Sequence, residues 1–345
     1  MGSDLGVCVI GLGMGRSHVK ALSSLKKDYG IRLFVCDIVE EKARAVAEEY
    51  GAEAWFLDYK EALAREDVDA VSICLPHHLH WKTAVESAEA GKHVLVEKPM
   101  ARTLKEADAM IAAAKKANVK LMVAEHHRYI PSVLKAKELI DDGSLGEIFL
   151  IRCNLFSNDR QSWPLQKDWR SDNEKRGGGV LLSDGVHRIN VLRTLGGDVA
   201  SVYCLFPPTS YFDGEHTAFL SIRYKSGVLG SLVTSCTVRL KTLSAAPWFS
   251  VFGTEGSVLS PDYQKLNVYS TKLPECSEGP VEMNLEKRDI VLEELKDFLD
   301  SIRTGRESLV SGEEGRKDIE VCLAGYKSVK EGKVINLPLI PILQC

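Results

Sequence analysis

Gly91-Lys92-His93-Val94-Leu95-Val96-Glu97-Lys98-Pro99-Met100 decides how this 345-residue chain is read. The apolar run at 93–96 has the length of a strand buried in a parallel sheet, and it stops on an acid, a lysine and a proline. Ligands of open α/β sheets bind at the carboxyl ends of the strands, so this arrangement carries Lys98 to the rim. Pro99 has no N–H for a ladder and keeps Lys98 out of helical geometry, so the backbone turns there. The same residues also suit a solvated lysine ahead of the next helix, and the rest of the chain has to decide between the two.

Working outward toward the N-terminus, residues 5–10 read as a strand, followed by Gly11-Leu12-Gly13-Met14-Gly15-Arg16-Ser17-His18 and a helical pattern through Leu25. Strand, glycine turn and helix are the setting of a dinucleotide fingerprint, in which the backbone approaches a pyrophosphate at a helix N-terminus. A regular G-x-G-x-x-G would place its third glycine where Arg16 stands; here it comes one residue early, at Gly15. A second strand, 31–36, ends on Asp37, at the ~20-residue distance of the acid that accepts from a ribose 2′-hydroxyl. A carboxylate there repels a 2′-phosphate and favours NAD over NADP, although a strand-end acid or a helix N-cap fits the position too.

Helical and strand-like segments then alternate: a helix at 40–50, a short segment at 54–55, a helix from 59, a strand at 70–75, a helix at 81–90, the organising strand, a helix at 104–118 and a strand at 120–124. This spacing implies a doubly wound parallel sheet. Three successive strand ends bring His77 and His80, then Lys98, then His126 with Arg128 to one edge. The histidines near Glu125 raise the possibility of a metal, but no spacing fixes a tetrahedral ligand set, and the chain is read as metal-free.

Beyond residue 125 the composition changes, giving expected domains at 1–125 and 126–345. A helix at 131–142 ends at Gly143, and a long strand occupies 147–156. A polar loop, 157–176, carries Trp163, Trp169 and Arg170. Gly177-Gly178-Gly179 opens an expected helix over 180–195 that holds Ser183, Asp184, His187 and Asn190. Residues three and four apart share a helix face, so His187 can meet Ser183 or Asp184 on one side and Asn190 on the other, an imidazole with an orienting partner. Alternating segments at 199–206, 217–224, 228–240 and 248–253 suggest an open antiparallel sheet, and helices at 288–303 and 312–331 and a strand at 334–337 complete the chain.

Composition narrows the function classes. The 48 acids and 44 bases give a net charge of −4 without long runs, which argues against a nucleic-acid or anionic-membrane surface. No apolar stretch approaches the ~20 residues of a membrane span, and the N-terminus does not read as a signal peptide, so a cytoplasmic protein is expected. The nine cysteines contain no CxxC pair and read as small buried hydrophobes.

Together these residues resemble the Gfo/Idh/MocA family of glucose-fructose oxidoreductases and inositol dehydrogenases. The likeness runs through the glycine turn with His18, Gly91-Lys92-His93 into Glu97-Lys98-Pro99, Leu145-Gly146-Glu147-Ile148, Gly178-Gly179 leading to Gly185-Val186-His187, and Gly305-Arg306. It implies a Rossmann domain, a C-terminal α/β domain with a large, open, mostly antiparallel sheet, and NAD-linked redox chemistry on a ring hydroxyl or ketone of a sugar, inositol or related polyol. It also implies homodimers or homotetramers assembled through that sheet. The expected cofactor contacts are Gly11, Leu12, Gly13, Met14, Gly15, Asp37, Leu75, Pro76, His77, His80, Glu97 and Lys98. The chain departs from the family pattern in its shorter glycine turn, in Ser183 where an Asp is common, with Asp184 one place later, and in Asn190 where another Asp is common.

The chemistry that follows is reversible hydride transfer. His187 takes the hydroxyl proton, Lys98 donates to the same oxygen, and Asp184 orients His187, with Lys98, His126, Arg128, Trp169, Arg170, Asp184 and His187 as substrate contacts. Two alternatives stand beside it: an enzyme that recycles tightly bound NAD during isomerisation, dehydration or glycosidic cleavage, and a non-catalytic NAD-binding regulator. The second has no use for Lys98 and His187 together.

Overall fold

The computed structural model describes residues 4–158, 168–208, 210, 213–239 and 247–339. Two compact units emerge, Met1–His126 with Asp289–Arg316, and His127–Arg288 with Lys317–Cys345.

The first unit holds strands β1 (Leu5–Ile10), β2 (Ile31–Cys36), β3 (Ala54–Phe56), β4 (Ala70–Ile73), β5 (His93–Glu97) and β6 (Leu121–Ala124). Between them run helices α1 (Gly15–Leu25), α2 (Glu40–Tyr50), α3 (Tyr59–Leu63), α4 (His77–Glu89) and α5 (Leu104–Ala117). The strands pair in parallel in the order β3-β2-β1-β4-β5-β6, the doubly wound arrangement whose order reverses between β1 and β4. Every residue of β4 is buried, as are Val94 to Glu97 of β5, as helices on both faces of a parallel sheet require. Helix α4 begins at His77, four residues ahead of the expected start, because Pro76 supplies an extended residue at the N-cap and lacks only an N–H that a first turn leaves unbonded anyway.

The second unit opens with α6 (Pro131–Asp141) and β7 (Ile148–Phe156), then α7 (Asn173–Arg176), α8 (Val180–Ser183) and α9 (Gly185–Gly196). Eight further strands follow: β8 (Val199–Leu205), β9 (Thr217–Tyr224), β10 (Leu229–Ser235), β11 (Phe249–Gly253), β12 (Gly256–Asp262), β13 (Lys265–Ser270), β14 (Val281–Asn284) and β15 (Ile335–Asn336). They form with β7 a nine-stranded sheet, β14-β13-β12-β11-β7-β10-β9-β8-β15, antiparallel throughout except for the central β7–β10 pair. Leu220, Leu232, Ile151, Val251, Val258 and Val268 are fully buried on one face, against which α6 and α9 pack. The strands from Gly256 to Asn284 have no counterpart in the expected list, because their short alternations are broken by Pro261 and by polar turns.

The compact units do not follow a single cut in the chain. Helix α10 (Ile290–Thr304) belongs to the first unit, where its fully buried Leu295, Phe298 and Leu299 form an apolar stripe and the helix packs on α1. The next helix, α11 (Gly312–Glu331), crosses the boundary at Arg316. The expected single helix over 180–195 is likewise two, because Asp184 sits at φ −120°, ψ −34° and its carbonyl starts the second helix by accepting from the His187 N–H. The eight described cysteines are all buried and unbridged, and no described helix is long and apolar enough to cross a membrane. Trp163 and Leu240 lie outside the described residues.

Candidate active site

In the first unit the three glycines of the opening turn have separate roles. Gly11 holds φ +90°, and a Cβ there would lie 2.6 Å from the Cys74 carbonyl oxygen, so the turn presses directly against the end of β4. A Cβ on Gly15 would lie 2.9 Å from a methyl of Val9, so this residue lets α1 close on β1. Around Gly13 there is open space within 4 Å. Tight turn, open approach and close helix packing are the three duties of a dinucleotide fingerprint, and the early third glycine performs its own. Arg16, freed from that duty, turns outward to pair with Glu49.

Asp37 is tied to this turn. Its Oδ2 accepts from the Leu12 N–H at 2.8 Å and from Lys42 at the same distance, while Oδ1 accepts from the Val39 N–H at 3.1 Å. Burial opposes its charge, but these donors outweigh burial and hold the carboxyl below its ordinary range. Met14, Ile38 and Val39 stand exposed beside it, Ile38 at 88%. Leu75 and Pro76 are half-buried at the end of β4.

The histidines expected at the cofactor divide. His77 is buried in the first turn of α4 and packs on His80, with ring centroids 5.7 Å apart. His80 is fully buried, with ring nitrogens 2.7 Å from the Leu75 carbonyl oxygen and 2.9 Å from that of Pro99. It therefore acts as a strut between two loops.

Glu97 and Lys98 leave β5 together. The Glu97 Oε2 accepts from the Lys98 N–H at 3.0 Å, and its Oε1 lies 3.3 Å from His18 Nε2. Burial works against the Glu97 charge, yet His18, with Lys98 and His126 nearby, pulls this carboxyl down to about 2. For His18 burial again opposes charge, and Cys74 and Glu97 raise the imidazole well above its usual range. The His18 Nδ1 is bonded to Ser72 Oγ at 2.8 Å. Lys98 itself is half-buried, as is His126.

In the second unit His187 lies in the first turn of α9, buried, with its ring stacked on His127 at 4.0 Å between centroids. Arg188 donates from Nη1 to His127 Nδ1 at 3.0 Å, so that nitrogen is the acceptor and the proton of a neutral ring sits on Nε2. The Arg188 guanidinium also lies over Trp248 at 4.4 Å. Asp184 sits at the break between α8 and α9, while Ser183 donates its hydroxyl to the Gly179 carbonyl at 2.9 Å. Asn190, one turn along α9 from His187, is buried and donates to Asp318 at 2.7 Å beside the Arg193–Asp318 ion pair. Arg128 is bonded to Thr194 on α9. Trp169 and Arg170 form a short turn in which Arg170 lies over the Trp169 ring at 4.7 Å and pairs with Asp168.

Sequence reasoning missed Arg188, Trp248 and Tyr263, and read His127 only as part of the histidine cluster beside Glu125. Tyr263 left no signal because it lies on the unexpected β12–β13 turn.

Two family models match the chain: one described as an oxidoreductase family NAD-binding Rossmann fold over residues 5–125, the other as its C-terminal alpha/beta domain over 137–337. A myo-inositol 2-dehydrogenase of Thermotoga maritima is 29% identical over 340 residues, 95% of this chain and 97% of that protein. A scyllo-inositol 2-dehydrogenase (NAD(+)) of Bacillus subtilis is 28% identical over 95% of each chain. Among solved structures, a levoglucosan dehydrogenase complexed with NADH and levoglucosan superposes with a TM-score of 0.89 at 25% identity, covering 97% of this chain and 100% of that one.

Proposed function

Because the chain belongs to the Gfo/Idh/MocA oxidoreductase family, with an NAD-binding Rossmann domain and a C-terminal α/β domain, we propose that it oxidises a ring hydroxyl of a sugar, inositol or related polyol, reversibly, with NAD. The cofactor fits the residues present: Gly13 leaves room for a close approach, the N–H groups opening α1 carry no side-chain cap, and Asp37 presents a fixed carboxylate.

Bound NAD supplies the carbon that receives the hydride. An alcohol gives up hydride only as its hydroxyl proton leaves, so a base has to accept that proton while the carbonyl forms. His187 takes it on its imidazole, and the Lys98 ammonium donates to the same oxygen, stabilising the developing negative charge. Asp184 orients His187, while His126, Arg128, Trp169 and Arg170 are the remaining candidates for holding hydroxyls. The observation that carries the reading is Lys98 at the carboxyl end of β5, its backbone N–H held by Glu97, in the sheet that also bears the glycine turn. Mixing the purified protein with NAD and a panel of cyclitols, aldoses and uronic acids tests it. Reduced-cofactor absorbance is expected with a subset of the panel, and silence across the panel removes net dehydrogenation.

The exposed face of the large sheet supports self-association. The register places Leu205 beside Phe219, Phe219 beside Val233, and Leu229 beside Leu150, all on the side opposite the helices. Leu205, Phe219, Leu229 and Tyr269 stand exposed there. An apolar sheet face of this extent is covered in this reading by a second copy of the chain.

A further inference from the structure

Glu294 on α10 is fully buried, and neither of its carboxyl oxygens has a hydrogen-bond partner among the described residues. Its Oε1 lies 3.9 Å from His18 Nε2, outside hydrogen-bond reach. The charged or titratable groups facing it are His18 from α1, Glu97 at the end of β5, Glu125 just beyond β6, and Asp297 on its own helix. An isolated carboxylate in such surroundings costs far more than a neutral acid, and one imidazolium, already bonded to Glu97, cannot compensate two carboxylates at once.

We propose that Glu294 is kept as a neutral carboxylic acid and acts as a positioning residue, leaving His18 free to hold Glu97 and, through Glu97, the Lys98 backbone. Burial, offset in part by His18 and reinforced by the neighbouring acids, raises this carboxyl well above its ordinary range. When Glu294 ionises it becomes a second acceptor for His18. The Glu97 carboxylate then loses part of its hold on the imidazole and on the Lys98 N–H that it accepts from. The neutral acid thus couples proton uptake inside the first unit to the alignment of the strand end that carries the amine. The effect on turnover rests on the hydride-transfer reading; the protonation state does not.

The test compares wild type with Glu294→Gln, which copies the neutral acid and cannot ionise, and with Glu294→Met in case the amide misfolds. At neutral pH the infrared difference spectrum is expected to show a protonated-carboxyl C=O band in wild type that shifts in D2O and is absent from both variants. A spectrum without that band overturns the proposal. Wild-type stability is expected to decline as pH rises above 4.5, the range in which the unfolded chain ionises Glu294 and the folded chain does not, and the glutamine variant removes that part of the decline. Unchanged pH dependence overturns the proposal as well. With a substrate in hand, wild-type kcat is expected to fall about 5- to 10-fold on an alkaline limb that Glu294→Gln moves to higher pH, a size typical of coupled sites. Superimposable kcat profiles remove the link to Lys98. If Lys98→Ala leaves turnover intact, the hydride-transfer reading falls, while the infrared band and the stability profile still decide the state of Glu294.

Discussion

His18 Nε2 and Glu97 Oε1 lie 3.3 Å apart, joining the helix that follows the glycine turn to the residue that precedes Lys98. The pair is buried, so its formation is visible in stability from both ends of the pH scale. The Glu97 contribution is present above 4.5 and is lost as pH falls toward about 2, since the folded carboxyl binds its proton less readily than the unfolded one. The His18 contribution is present below 6.5 and is lost as pH rises through the elevated folded value. Glu97→Gln is expected to cost about 3–5 kcal/mol near neutral pH, the effect of breaking a buried pair, and to remove the Glu97 share of the acid limb while Asp37 keeps its own. Urea unfolding at several pH values measures both.

Lys98→Ala and His187→Ala are each expected to lower kcat by about 10²–10⁴ with NAD affinity retained, the range for a lost acid–base or charge-stabilising group. Steady-state kinetics beside fluorescence titration of NADH checks this. A variant with wild-type kcat takes its residue out of the chemistry.

The glycines of the opening turn are expected to respond differently to the same change. Gly11→Ala, at positive φ and against the Cys74 carbonyl, costs about 1–3 kcal/mol of stability. Gly13→Ala, with open space around it, leaves the melting temperature unchanged and weakens NAD. Thermal melts with and without NAD separate the two outcomes, and equal destabilisation would refute the division of roles.

Asp37→Ala is expected to weaken NAD about 10- to 100-fold, following the ~1.5–3 kcal/mol of a hydrogen bond to a charged group. The substitution also releases Lys42 and the Leu12 N–H. Calorimetry with NAD and NADP measures the change, and a parallel gain for NADP is expected as the carboxylate leaves.

Replacing Phe219 and Leu229 by Asp is expected to turn an assembled protein into monomers without unfolding it, because both side chains point away from the helix-covered face. Sedimentation at several concentrations decides, and a wild type that already sediments as a monomer removes the assembly.

The first unit was legible because buried parallel strands are continuous apolar runs and their ends are marked by Gly11, Asp37 and Lys98. The second was legible only in outline. Strands β12 to β14 are short and half-exposed, so alternation is lost among the turns, and the break at Asp184 depends on local backbone geometry with no residue to announce it. Asn190 has the spacing of a partner for His187 but bonds to Asp318, which is 128 positions away in the chain. Glu294 looks like an ordinary amphipathic-helix acid until α10 is seen packed on α1. Contacts between residues distant in sequence leave no periodic trace, which is why these residues escaped notice.

Helix α10 has one more implication, for synthesis. A ribosome releases the first six strands long before it reaches Ile290, since the whole of His127–Arg288 has to emerge in between. Until then the side of α1 that α10 will cover stays bare, a sticky surface on a half-finished product. Cutting the gene after residue 126 would make that transient condition permanent, so an expression plasmid for the nucleotide-binding half should splice 289–316 back on through a short linker.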